Sequence, residues 1–293
     1  MTLPVTFVEV VAVRRITPRT ARVTFEAEAL ADTVGTAPDQ QLKLCFPRPG
    51  QREPVLPAPQ DDPMGWYQAY LAIPEAERPL LRSFTLRRRE PGTRRIEIDF
   101  VLHGDTGPAA GWALRAAPGD RLGMVGPSAL YAPPVPLAEA AADADWVLLA
   151  GDETALPAIA TLLEALPEGG RAYVWIEVAD RAERQELESR ADLEVEWLYR
   201  DGAAPGTVLT EAFRDAVLPG GEPFVWLAGE TGAVRAIRRC LIEEQGVPKS
   251  DIDFTGYWRH RLTQDDAPTA EDLADAQERL AAGPDSTSGN AAR

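Results

Sequence analysis

From Val5 to Val125 short apolar runs alternate with polar residues at a period of two, and Pro and Gly interrupt them at close intervals. This pattern predicts an antiparallel barrel or sandwich. Its clearest strand is Arg95–His103, where Ile96, Ile98, Phe100 and Leu102 point one way and Glu97, Asp99, Val101 and His103 the other. Further strands are expected at Phe7–Arg14, Arg22–Glu26, Gln41–Phe46, Ser83–Arg89 and Arg121–Val125. The six prolines from Pro47 to Pro63 rule out a helix interior or a central strand. They predict a rigid surface loop, of a length that often serves function.

From Trp146 onward the period changes. Apolar runs at Trp146–Ala150, Ala172–Val178, Val195–Tyr199 and Phe224–Ala228 alternate with helical stretches near Ala155–Ala165, Ala182–Ser189, Leu209–Val217 and Ala233–Gln245. Asp253–Trp258 adds a late strand. Strict alternation of strand and helix implies right-handed crossovers and a parallel sheet. The chain thus divides into an N-terminal antiparallel β-barrel domain over residues 1–132, an α/β parallel-sheet domain over 145–262 and a polar C-terminal tail over 263–293. Tyr131–Asp145, rich in Pro, Ala and acidic residues, is the expected connector, and the composition of Gly283–Arg293 predicts disorder.

Composition narrows the chemistry. With 45% apolar residues, 293 residues are enough for two cores. The 30 basic and 46 acidic side chains give a formal charge of −16, which repels a phosphate backbone and excludes a general nucleic-acid binder. No run approaches the roughly 18–20 apolar residues of a membrane span, and Met1–Val10 lacks the features of a signal peptide. A cytoplasmic monomer without membrane insertion is the expectation. Cys45 and Cys240 lie far apart and outside any metal-ligand spacing, and only His103 and His260 are available, so neither a disulfide framework nor a protein metal site is expected. Redox chemistry here has to be carried by a bound organic cofactor.

Four stretches are candidates for that chemistry. In Arg82-Ser83-Phe84-Thr85-Leu86-Arg87, a cation, an aromatic ring and a hydroxyl follow one another along a strand. An isoalloxazine needs an aromatic neighbour, a hydroxyl near its reactive N5 and a cation for its pyrophosphate, and Phe84, Thr85 and Arg82 match that set. An amphipathic strand with a solvated arginine edge has the same pattern. In His103–Ala113 a Gly-rich turn precedes a helix start, a place for a phosphate or an ordinary glycine turn. Gly151-Asp152-Glu153-Thr154 and Ala228-Gly229-Glu230 each join a buried strand to a helix at the carboxyl edge of the sheet, without the GxGxxG pattern.

In this order the segments resemble the siderophore-interacting proteins, flavin-dependent ferric-siderophore reductases of the ferredoxin-reductase superfamily. The resemblance spans residues 5–262 and rests on Arg82/Phe84/Thr85, His103–Ala113, Gly151–Pro157, Ala228–Glu230 and Tyr257–Arg259. It implies FAD held by Arg82, Ser83, Phe84, Thr85, His103, Gly107, Ala109, Ala110, Gly111 and Trp112, with Thr85 near flavin N5 and Trp258 approaching from the second domain. It further implies NADPH or NADH at Gly151, Asp152, Glu153, Thr154, Gly229 and Glu230. The substrate implied is a ferric siderophore, often anionic, for which a chain at −16 needs a local basic patch. Lys43, one of only two lysines, Arg48, Arg259 and Arg261 are the candidates, and by resemblance Lys43 and Arg259 match basic positions of the family's cleft.

One departure is Phe84, where the family often has Tyr; the lost hydroxyl bond loosens flavin binding by about 0.5–1.5 kcal/mol. For the donor, Arg181 and Arg184 favour NADPH, with Asp180 and Glu183 beside them. Some flavin reductases of the superfamily take electrons from a protein instead. A general NAD(P)H:flavin reductase or a non-catalytic siderophore-binding module on the same scaffold are the alternatives.

Overall fold

A computed structural model describes residues 5–30, 37–58, 60, 63–103, 107–126, 140–141, 143–260, 262 and 267–281. Most of the expected connector, Arg261 and the end from Gly283 lie outside these residues.

Alternation builds the first sheet. Strands β1 (Val5–Thr17), β2 (Thr20–Glu26), β3 (Gln41–Phe46), β4 (Leu80–Thr85), β5 (Arg88–Arg89), β6 (Arg95–Val101) and β7 (Arg121–Val125) pair antiparallel in the order β4-β3-β7-β1-β2-β6-β5. Inward side chains such as Val23, Phe25, Leu42, Leu44, Ile98 and Leu122 form a fully buried core. The expected strand Ser83–Arg89 is divided into β4 and β5, and the division curls the sheet. Leu86 N–H donates to the Gln40 carbonyl at 2.8 Å beside β3, whereas Arg87 N–H donates to the Glu97 carbonyl at 3.0 Å on β6. Two consecutive residues therefore bond to strands near opposite ends of the sheet and draw those ends together. Helix α1 (Pro63–Ala72) follows the proline-rich loop, and the short α2 (Pro108–Ala113) follows β6.

The second sheet is parallel, with β8 (Trp146–Asp152), β9 (Arg171–Val178), β10 (Asp192–Tyr199), β11 (Pro223–Glu230) and β12 (Ile252–Trp258) in the order β10-β9-β8-β11-β12. Every residue of β8 is buried because both faces are covered. Val147 and Leu149 pack against α3 (Leu156–Ala165), while Leu148 and Ala150 pack with residues of α4 (Thr207–Asp215) and α5 (Thr231–Glu243). The strand order reverses between β8 and β11, which makes their carboxyl ends the switch point where open sheets bind ligands.

Two sequence expectations change here. Ala182–Ser189 is not a helix but a single 3₁₀ turn, Arg181–Glu183, followed by chain without regular secondary structure. Its local propensity is overridden by a long-range bond: Glu183 is buried and accepts from the Thr17 hydroxyl at 2.5 Å and the Arg19 N–H at 3.0 Å in the first domain. Conversely, the polar tail contains helix α6 (Ala270–Ala281), whose Asp272, Asp275 and Glu278 recur on one face and pair with Arg235 and Arg238, themselves three apart on α5.

The domains also meet at Asp39, a buried residue held at a left-handed φ of 61°. Its N–H donates to Thr161 Oγ1 at 3.0 Å, and its carboxylate accepts Trp226 Nε1–H at 3.1 Å and Tyr257 O–H at 3.0 Å. Removing an acceptor from two such donors costs about 2–4 kcal/mol. Asp39→Ala is therefore expected to lose that much in chemical denaturation, whereas Asp39→Asn, which tolerates the same φ and keeps an acceptor, loses less than half of it.

Candidate functional site

Strand β4 is the edge strand next to the second domain. Its register with β3 pairs Gln41 with Thr85 and Lys43 with Ser83, so Lys43, Ser83 and Thr85 share one face. Lys43 Nζ donates to Ser83 Oγ at 3.0 Å, and burial pulls the ammonium below the usual lysine range. Thr85 is buried and hydrogen-bonds to the phenol of Tyr257. Burial and then the adjacent Asp39 raise that phenol well above the usual tyrosine range, so it stays protonated and donates to Asp39.

On the other face, Phe84 packs 4.6 Å from Phe100 and 6.3 Å from Phe46. Trp112, half-buried, stacks at 6.1 Å on Phe25. Both rings thus have one side in the barrel core and retain partial exposure. Arg82 is half-buried and donates to the Leu81 carbonyl at 2.5 Å. The Gly107–Trp112 segment differs in detail from expectation, because Gly111 N–H bonds back to the Gly107 carbonyl at 2.9 Å inside α2. Pro108 has no N–H, so the donors that a helix start leaves open are those of Ala109 and Ala110. His103 is exposed beside Gly107, and residues 104–106 lie outside the described part.

At the switch point the glycines are steric requirements. A Cβ on Gly151 would stand 2.2 Å from the Ala228 carbonyl oxygen, and one on Gly229, at φ +137°, would stand 2.7 Å from Asp152 Oδ2. Asp152 itself turns inward and accepts from Thr154, Glu230 N–H and the Trp258 indole, as Glu153 turns to Arg200 in a two-pronged pair at 2.5 and 2.6 Å. Glu177 accepts from Arg200 at 3.2 Å and from Gly206 N–H at 2.7 Å, and these carboxylates hold Arg200 charged despite its burial. Glu230 caps α5 through Ala233 N–H at 2.8 Å.

The candidate residues therefore converge in two groups. Lys43, Ser83 and Thr85 share the face that meets the second domain where Thr85 bonds to Tyr257, while Gly151–Thr154, Gly229, Glu230 and Trp258, whose indole bonds to Asp152, line the crevice. The remaining basic candidates are otherwise engaged. Arg48 Nε donates to the Arg78 carbonyl at 2.7 Å and braces the loop, and Arg259 pairs with Asp272 of α6 at 2.9 Å. Sequence reasoning missed Asp39 and left Tyr257 without a role; a buried acid in a loop carries no local pattern, whereas Tyr257 stands beside the noticed Trp258.

A curled antiparallel sheet followed by a parallel sheet of order β10-β9-β8-β11-β12 defines the ferredoxin-reductase-like fold class. Within that class the chain belongs to the siderophore-interacting protein family: residues 9–131 match the siderophore-interacting FAD-binding domain and residues 144–261 the siderophore-interacting protein domain. It is 33% identical over 243 residues to the ferric vibriobactin reductase ViuB of Vibrio cholerae, covering 81% of this chain and 83% of that protein. The NADPH-dependent ferric-chelate reductase of Escherichia coli is 29% identical, over 85% of this chain and 91% of its own. A siderophore utilization protein from T. fusca superposes with a TM-score of 0.76 at 39% identity, over 90% of this chain and 96% of that one.

FAD is the cofactor of this first domain, and the donor set fits it: a guanidinium at Arg82, hydroxyls at Ser83 and Thr85, two half-exposed rings and an open helix start. Arg82→Ala should raise the dissociation constant for FAD roughly ten- to hundredfold, the equivalent of about 1.5–3 kcal/mol for a charge-assisted bond. Thr85→Ala should retain FAD and slow anaerobic flavin bleaching about tenfold. Flavin content and bleaching rate, measured on both variants, check the pair.

Proposed function

We propose that the protein is a cytoplasmic, monomeric ferric-siderophore reductase that takes electrons from NADPH through FAD and releases iron as Fe(II). Among the described residues no helix is long and apolar enough to cross a membrane. The observation that carries the reading is the shared face of Lys43, Ser83 and Thr85, which meets the second domain where Thr85 bonds to Tyr257. Bound flavin supplies the conversion of a two-electron hydride donor into single-electron transfers, so one hydride serves two ferric centres and releases one proton.

The chain's own residues do the positioning. Arg82 provides the cation for the flavin's phosphates, and the Phe84 and Trp112 faces bound the ring site. Thr85, anchored by Tyr257, presents a fixed hydroxyl. Lys43, partly desolvated, gives an anionic chelate a cation that water screens weakly. Fe(II), with less charge, is then held less tightly by hard oxygen ligands. Support for NADPH comes from Arg181, which is exposed, while its acidic neighbour Glu183 is withdrawn into the domain boundary. Arg184 lies 5.8 Å over Trp197.

Lys43→Met keeps the apolar stem and removes the charge. It is expected to raise KM for an anionic ferric siderophore about tenfold while reduction of a neutral quinone stays within twofold of wild type. Equal loss of both activities would remove Lys43 from substrate binding and favour a general flavin reductase.

A further inference from the structure

The carboxylate of Asp152 is 2% exposed and stands at the end of β8, inside the switch-point crevice. Four donors converge on it. Oδ1 accepts the Thr154 N–H at 2.8 Å and the Thr154 hydroxyl at 2.5 Å; Oδ2 accepts the Glu230 N–H at 2.8 Å and the Trp258 indole N–H at 2.7 Å. These groups come from the β8–α3 turn, the β11–α5 turn and the end of β12, and together they enclose an anion. Main-chain N–H groups at strand ends flanking a switch point are what open α/β sheets offer to a dinucleotide's phosphates. In this protein the anion that fills them belongs to the chain.

We propose that Asp152 is an internal competitor for the phosphates of the nicotinamide dinucleotide, holding the crevice's donors until its carboxylate is displaced or protonated and so keeping the dinucleotide weakly bound. The proposal rests on the nicotinamide reading of this crevice. The charged groups facing Asp152 are Glu153, paired with Arg200; Glu177, on the far side of that arginine; and Glu230, whose side chain turns to the Ala233 and His260 N–H groups. The cation of this cluster, Arg200, is held by the two glutamates Glu153 and Glu177. Burial, then Glu153, pushes the Asp152 carboxyl up to about 6. Its charge is present at neutral pH and is lost as the pH falls through that value, so dinucleotide binding tightens in the same direction.

The test titrates NAD+ into the FAD-loaded protein by calorimetry, because its pyrophosphate remains ionised from about pH 5 to about pH 8. Wild-type protein is expected to bind roughly tenfold more tightly at about pH 5 than at about pH 8. Asp152→Ser and the isosteric Asp152→Asn are expected to bind about tenfold more tightly than wild type at the higher pH, with little pH dependence. His260, whose ring lies 6.3 Å from that of Trp258, is the histidine beside this cluster, and His260→Gln is expected to keep the wild-type profile.

Unchanged or weaker binding in a folded, flavin-loaded Asp152 variant would overturn the proposal. So would a pH dependence that persists in the Asp152 variants or vanishes in His260→Gln. If neither Asp152 variant folds, the wild-type and His260→Gln series decide, and a flat wild-type profile overturns it. Binding that ignores both charge and pH removes the competitor role alone, whereas no binding of either NAD+ or NADP+, titrated in the same way, in any variant at any pH also removes the nicotinamide reading.

Discussion

Asp39 sets where the two sheets meet. Its carboxylate takes one hydrogen bond from β11 and one from β12, and its backbone N–H donates a third to Thr161 of α3, so the first domain's loop before β3 is clasped by three elements of the second. The residue after the loop enters β3, which pairs with β4. The clasp therefore fixes the end of β12 against Thr85, and the position of every boundary residue follows from it. The Glu183 bonds to Thr17 and Arg19 and the Arg87–Glu164 pair at 2.7 Å hold the same relation at the barrel's other contacts. A site assembled from two domains needs this kind of over-determination, because a displacement of about 1 Å degrades a reacting geometry.

Acidic character is the second constraint. A chain at −16 keeps several carboxylates at the carboxyl edge of its parallel sheet, where they serve helix starts and turns rather than solvent. Glu177 takes the N–H groups of Gly206 and Leu209, Glu230 that of Ala233 and Asp152 that of Thr154. The paired strands β3 and β4 of the barrel carry the cations Lys43 and Arg82, one on each face.

The fold was legible where one face of an element alone decided its pattern. The period-two runs of β6 and β3, and the continuous apolar run of β8 buried on both faces, identify a barrel and a parallel sheet from residue order alone. Three features were not legible, each for a physical reason. Ala182–Ser189 has helical composition, but Glu183 is needed by the first domain. Helix α6 lies in a segment of polar and small residues, and its signal is the spacing of Asp272, Asp275 and Glu278 against Arg235 and Arg238, a match between distant segments. Asp39 occupies a loop, where a buried acid leaves no periodic trace. Of the site, the flavin strand and both crevice turns were visible as motifs; their mutual placement was not, since it depends on hydrogen bonds across more than a hundred residues such as Asp39 to Tyr257, |i−j| = 218.

The central claim is electron passage from a nicotinamide through FAD to a chelated ferric ion. Its most direct measurement is the visible absorbance of the FAD-loaded protein under anaerobic conditions, first with one equivalent of NADPH and then with a ferric siderophore. Bleaching on the first addition and full recovery after roughly two ferric equivalents per flavin is the result expected of this site. Flavin that bleaches but does not recover with the ferric chelate, or that NADPH leaves oxidised, would contradict it.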